Sequence, residues 1–69
     1  MTDLEIILNG ERRQVPGPAT VADLLRHLDL DPRTVVVELN RQIVRRIHLQ
    51  ETSLSSGDTV ELVHFVGGG

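Results

Sequence analysis

Only one segment of this 69-residue chain has the spacing of an amphipathic helix, and this constrains the fold more than any other feature. Thr20 and Asp23 indicate a helix start, because a hydroxyl can cap a free backbone N–H and an acid suits the positive first turn. Apolar residues follow at spacings of three and four, on one helix face: Val21, Leu24, Leu25 and Leu28. Asp31-Pro32 marks the end, since the residue before proline is disfavoured in a helix. A single helix must be buried against one other layer.

The segments before the helix predict a β-hairpin. Residues 4–8 place apolar side chains at every second position, which is typical of a strand with one buried face. Asn9-Gly10 tolerates positive φ and predicts a tight turn into a second strand at 11–15. Pro16-Gly17-Pro18 ends that strand, because proline cannot donate to the hydrogen-bond ladder.

The segment after the helix predicts a further pair of strands. Residues 34–39 are β-branched and nearly continuous, which favours an interior strand covered on much of both faces. This strand is therefore the candidate for the centre of the sheet. Asn40-Arg41 predicts a turn into a short strand at 42–45.

The last part of the chain predicts a polar connection and a final strand. Residues 48–56 are mostly polar, with Leu49 and Leu54 expected to pin the connection to the core. Turn chemistry at 56–58 precedes a strand at 59–66. The resulting fold class is α+β, a mixed sheet of four to five strands with one principal helix. If the helix joins two parallel neighbouring strands by a right-handed crossover, the first and last strands lie side by side and parallel in the middle, as in a β-grasp.

Composition excludes several classes of function. Ten acids and seven scattered arginines give a net charge of −3, a poor balance for nucleic-acid binding, and Phe65 is the only aromatic residue. The absence of cysteine removes disulfides, thiolate metal sites and cysteine nucleophiles, and favours the cytoplasm. No apolar stretch approaches about 18 residues, so neither membrane insertion nor secretion is indicated.

No constellation for metal binding or catalysis is recognisable. His27, His48 and His64 are spread over the predicted helix, connection and strand without helical or ligand spacing, so no metal site is predicted. The serines of the connection have no neighbouring general base with a supporting group. The chain is predicted not to be an enzyme and to bind no cofactor.

The glycine tail is the only remaining place for chemistry. Three glycines are costly to order and bury no side chain, so residues 67–69 are predicted to be a flexible tail on a domain of residues 1–66. The reactive group is the C-terminal carboxylate of Gly69. If the helix covers Val60 and Leu62, then Val63 and Phe65 face outward and form a candidate partner-docking patch. The alternative is that Phe65 caps the edge of a small core.

The chain resembles the ThiS family of ubiquitin-like sulfur carriers over nearly its whole length. The resemblance rests on Asn9-Gly10, on Thr20-Val21-Ala22-Asp23-Leu24-Leu25 at the helix start, and on Leu39-Asn40-Arg41-Gln42-Ile43-Val44. Gly57-Asp58-Thr59-Val60-Glu61-Leu62 is similar to that family's approach to a terminal Gly-Gly. The order and spacing of these segments make the resemblance specific.

The resemblance implies a protein cosubstrate of thiamine biosynthesis that is a monomer when free. Gly69 would be adenylated by an E1-like ThiF adenylyltransferase using ATP and magnesium, and then converted to a thiocarboxylate. The sulfur would come ultimately from cysteine through a desulfurase, and the thiazole synthase ThiG would consume it. Gly68 would be the second residue of the diglycine and Gly67 a spacer, both threading a narrow tunnel in the partner.

Three other functions remain open at this point. The tail and the fold class also allow a sulfur carrier of the type found as the small subunit of molybdopterin synthase, and a ubiquitin-like protein modifier. A non-catalytic β-grasp interaction module with an inert tail is the third alternative.

Overall fold

The computed structural model of the chain describes residues 3–65, which contain one α-helix and five strands. The elements are β1 (Asp3–Leu8), β2 (Glu11–Pro16), α1 (Val21–His27), β3 (Val35–Leu39), β4 (Gln42–Val44) and β5 (Thr59–His64). Short 3₁₀ helices at Pro32–Thr34 and Arg46–Glu51 lie in the connections. The predicted succession of strands and helix is confirmed, whereas both 3₁₀ helices are additions to it.

The five strands form one mixed sheet in the order β2-β1-β5-β3-β4. The first and last strands lie side by side and parallel, as predicted. All other neighbouring strands are antiparallel. Two expectations were wrong. The central strand is β5, not β3. The helix α1 joins β2 to β3, which are parallel but not neighbours, because β1 and β5 lie between them. β3 is covered on one face only, because Val35 and Val37 are buried while Val36 between them is exposed.

Both hairpins turn on asparagines with left-handed backbone conformation. Asn9 and Gly10 have φ of 49° and 84°, and Asn40 and Arg41 have φ of 51° and 71°. Two consecutive positive φ angles match the right-handed twist of the flanking strands in a two-residue hairpin. The predictions of turns at both places are confirmed.

The helix begins as predicted but ends earlier than predicted. The Thr20 hydroxyl accepts a hydrogen bond from the Asp23 N–H, and the Asp23 carboxylate accepts one from the Thr20 N–H, which forms a capping box. At the other end Asp29 adopts φ of 60°. The N–H groups of Asp29 and Leu30 then donate to the carbonyls of Arg26 and Leu25, which closes the helix well before Asp31-Pro32.

The core lies between α1 and one face of the sheet. Val21, Leu24 and Leu25 are buried and Leu28 is partly buried, which confirms the predicted apolar face of the helix. Leu49 and Leu54 are buried as predicted and hold the connection before β5 against the core. The sheet face opposite the helix, here called the open face, is covered by no other element among residues 3–65.

Candidate docking face

The central strand β5 leads the chain toward its glycine tail. The N–H of Phe65 still donates to the carbonyl of Thr34 at 3.2 Å, so pairing with the β3 side continues one residue beyond the strand. Gly67, Gly68 and Gly69, the predicted reactive tail, lie outside the described residues, as does Val66. The boundary between a domain of residues 1–66 and a tail therefore stays a prediction.

Two turn asparagines fix β5 from both sides. Only two residue pairs join β1 to β5, and the Asn9 side chain then accepts a hydrogen bond from the Leu62 N–H at 2.8 Å. On the other side the Asn40 side chain accepts from the Thr59 N–H at 2.9 Å and donates to the Asp58 carboxylate at 3.0 Å. Sequence reasoning identified both residues only as turn formers. The sequence signal for this second role was the residue type itself, because the side-chain amide of asparagine can accept a hydrogen bond from a backbone N–H that has no carbonyl partner.

The predicted docking patch lies on the open face. Val63 is 57% exposed and Phe65 is 45% exposed. The register places Val36 of β3, which is 37% exposed, directly opposite Val63. Sequence reasoning missed Val36, because it treated that strand as covered on both faces. Val36, Val63 and Phe65 together form what we call the apolar patch.

The strand residues of the open face are net acidic. Strand register and alternation place five charged strand residues on it: Asp3, Glu5, Arg12, Glu38 and Glu61. These four acids and one arginine sum to a formal charge of −3. Arg45, which follows β4 with extended backbone, shares the parity of Ile43 and offsets part of this charge. The open face therefore favours a basic partner surface.

One concavity lies on the helix side of the sheet, and two of its polar residues, Asp23 and Arg26, bind each other. It encloses about 360 Å³ between the end of β2 and α1 and is lined mainly by apolar side chains, with Asp23, Arg26 and His27 among its residues. Hydrogen bonds from the Thr20 backbone and from Arg26 lower the pKa of Asp23. Arg26 itself binds the Asp23 carboxylate at 2.6 Å. These groups serve the helix start, so we assign no chemistry to the concavity.

The three histidines lie at separate places in the described chain. His48 pairs with the Glu51 carboxylate at 2.6 Å, while His27 and His64 are exposed elsewhere. Residues 3–65 contain no group of three or more histidine, aspartate or glutamate side chains arranged to hold a metal ion. In the same part of the chain, no helix has the length and apolarity needed to span a membrane.

One helix packed on a mixed five-stranded sheet, with parallel first and last strands at its middle, defines a β-grasp protein. Its sequence matches the ThiS family over residues 6–69. The chain belongs to the ThiS family, the ubiquitin-like sulfur carriers of thiamine biosynthesis.

Individual relatives agree with this assignment. The sulfur carrier protein ThiS of Bacillus subtilis is 42% identical over 50 residues, which cover 72% of this chain and 76% of that protein. The crystal structure of the thiamine biosynthesis protein ThiS from Geobacter metallireducens superposes with a TM-score of 0.82 at 33% identity, covering 96% of this chain and all of that one. A thiazole synthase of Paramagnetospirillum magneticum is 38% identical over 66 residues, which are 96% of this chain but only 20% of the synthase.

Proposed function

We propose that this protein is the sulfur-carrying cosubstrate of thiazole formation, acting in the cytoplasm with Gly69 as the residue that is modified. The single observation that carries the proposal is the match to the ThiS family, which extends through Gly69. A ThiF-like adenylyltransferase activates the Gly69 carboxylate, and a ThiG-like thiazole synthase takes up the sulfur. The protein itself supplies no catalytic group.

The chemistry explains why activation must precede sulfur transfer. A carboxylate is resonance-stabilised and a poor electrophile, so a carboxylate oxygen first attacks the α-phosphorus of ATP and displaces pyrophosphate. A desulfurase takes the sulfur from cysteine as a persulfide, and a second thiol, for which excess cysteine serves, reduces the persulfide to hydrosulfide while a disulfide forms. The hydrosulfide then displaces AMP and leaves a thiocarboxylate. The activating enzyme holds the ATP and magnesium and stabilises the developing charge. Gly67 and Gly68, which lack Cβ atoms, let the chain approach the nucleotide closely.

The position of the apolar patch supports this role. The exposed side chains of Val63 and Phe65 precede the tail by a few residues in the sequence, so an enzyme that binds the apolar patch has the tail within a short length of chain. Docking and reaction then use different parts of a small protein. We propose that the adenylyltransferase binds this patch.

A segment similar to this chain also occurs inside a longer protein named thiazole synthase. Joining a carrier to the enzyme that consumes its sulfur raises the effective concentration of one for the other. This supports a ThiG-like synthase as the second partner of the present chain.

The test is intact-mass spectrometry of N-terminally tagged protein after incubation with ATP, magnesium, a ThiF-like adenylyltransferase, a cysteine desulfurase and cysteine. We expect an AMP adduct without the sulfur source and an oxygen-to-sulfur exchange with it. Gly68→Val should abolish both, whereas Gln50→Val, which adds the same side chain at an exposed position of a 3₁₀ helix, should react normally. Unmodified wild-type protein beside a demonstrably active enzyme would refute the proposal.

The docking patch has a matched control on the same molecule. Val63→Ser removes an exposed apolar side chain from the open face, and Ile47→Ser removes one that is 73% exposed outside the sheet. We expect Val63→Ser alone to raise the KM of the adenylyltransferase for the carrier. Equal effects of the two substitutions would assign the loss to general changes in solubility or stability.

The alternative functions give different products. The ThiS match favours thiazole formation over molybdopterin synthesis, and reconstitution with each synthase would separate the two. A protein modifier would leave Gly69 in an isopeptide with a target lysine. An interaction module would show no ATP-dependent change in mass.

A further inference from the structure

The open face contains a pair of like charges in direct opposition. The register of β3 and β5 places Glu38 opposite Glu61, at a spacing of about 5 Å between Cβ atoms for such pairs. Within the described part of the chain, neither carboxylate forms an ion pair. Like charges directly opposite each other destabilise a sheet. The pair therefore weakens the free protein slightly.

Apolar side chains flank this acidic pair on the open face. Val63 follows Glu61 on the same face, and Ile43 of β4, 66% exposed, lies opposite Glu38. Arg12 is the one arginine placed on the strands of this face, and it lies on β2, with β1 between its strand and β5. A partner that covers the apolar patch therefore also lies beside two carboxylates that form no ion pair within residues 3–65.

We propose that Glu38 and Glu61 together receive one cationic side chain, an arginine or lysine, from the enzyme that docks on the open face. The inference rests on the proposed function and adds the chemistry of the partner surface: a basic residue surrounded by apolar side chains. A guanidinium can donate to two carboxylates at once, which suits a paired acceptor. Burial of the flanking apolar side chains excludes water and strengthens the attraction. Charge complementarity also favours this orientation of approach, because the strand residues of this face are net acidic.

The test measures the binding of the ThiF-like adenylyltransferase to five forms of the carrier by calorimetry: wild type, Glu38→Gln, Glu61→Gln, the double variant of these two, and Glu11→Gln. We expect each of the first two substitutions to raise Kd about tenfold, and the double variant to raise it by less than the product of both. Glu11→Gln removes the same charge from an exposed position of β2 outside the open face and should change Kd less than about twofold. High salt should reduce the difference between wild type and Glu61→Gln.

Stability gives a second readout with the opposite sign. Because Glu61→Gln relieves repulsion in the free carrier, its thermal midpoint should rise by about 1 to 8 °C while its binding weakens. A misfolded variant would instead lose both thermal stability and binding affinity. Equal losses of affinity for Glu61→Gln and Glu11→Gln, or unchanged affinity for Glu61→Gln, would overturn the proposal.

The same samples separate this inference from the proposed function. If wild type binds with the expected dependence on Glu38 and Glu61 but gains no adenylate or thiocarboxylate, the docking chemistry stands and the carrier function fails. If wild type is converted and the glutamate variants bind and react equally well, the carrier function stands and the acidic pair has no role. Absence of binding by wild type would overturn both.

Discussion

Replacing Asn9 should loosen β5 at one identifiable hydrogen bond. Only the pairs Ile7↔Thr59 and Leu8↔Val60 join β1 and β5. The Asn9 N–H donates to the Val60 carbonyl at 2.9 Å, and the Asn9 side chain then accepts from the Leu62 N–H at 2.8 Å. The side chain thus supplies the next link of a short parallel ladder. We expect Asn9→Gly to remove this link while keeping the turn, since glycine readily adopts the φ of 49° found there.

The magnitude follows from two separable terms. Loss of one hydrogen bond costs about 0.5 to 1.5 kcal/mol, which is the expected loss in the free energy of unfolding for Asn9→Gly. Asn9→Ala loses the same bond and must also hold a left-handed conformation, at a further cost of about 1 to 2 kcal/mol. The alanine variant should therefore be the less stable of the two.

Urea denaturation measures both differences, and amide hydrogen exchange followed by NMR locates them. Asn9→Gly should speed exchange of the Leu62 amide more than that of its neighbours. Asn40→Gly is the reciprocal control, because the Asn40 side chain accepts from the Thr59 N–H and its loss should expose that amide instead. Unchanged exchange at Leu62 in Asn9→Gly, or an alanine variant no less stable than the glycine variant, would refute the reasoning.

Substitutions at three further positions test the fold and its response to acid. The Arg33 side chain and N–H bind the Asp31 carboxylate and lower its pKa from 3.8 to about 2. The resulting stabilisation of the folded state is present above about pH 4 and is lost as the pH falls through about 2. We therefore expect Asp31→Asn to reduce the loss of stability at acid pH, as measured by circular dichroism across a pH series. Leu24→Ala, at a position 1% exposed, should cost about 2 to 5 kcal/mol in urea denaturation, and a loss under 1 kcal/mol would contradict its place in the core. Thr20→Ala should cost about 0.5 to 2 kcal/mol by removing the hydroxyl that caps α1, whereas Thr20→Ser should retain most of the stability.

Local features of the fold were predictable because a few adjacent residues determine them. Asn9-Gly10 and Asn40-Arg41 carry the residue types that hairpin turns need, and both turns were predicted correctly. The helix end was not, because Asp29 takes the left-handed position that glycine usually occupies. Sequence signals for that role are weak when the residue is an aspartate.

Features that depend on strand order could be predicted only in part. The β-branched composition of β3 suggested a central strand, yet alternation alone buries Val35 and Val37 and leaves Val36 exposed. The outward parity of Val63 was visible in the sequence. Its partner Val36 and the opposition of Glu38 to Glu61 were not, because both need the register between strands that are distant in sequence.

The pairing of β5 changes along its length in a way that suits docking. At the start of β5, Thr59 and Val60 pair with β1 on one side, and Val60 pairs with β3 on the other. Leu62 pairs with β3, but on its other side only the Asn9 side chain accepts its N–H. Phe65 retains a single described backbone bond, on the β3 side. The apolar patch therefore lies where β5 remains paired with β3, since Val36 of β3 is opposite Val63. The proposed docking contact therefore lies where β5, within residues 3–65, has β3 as its only paired strand.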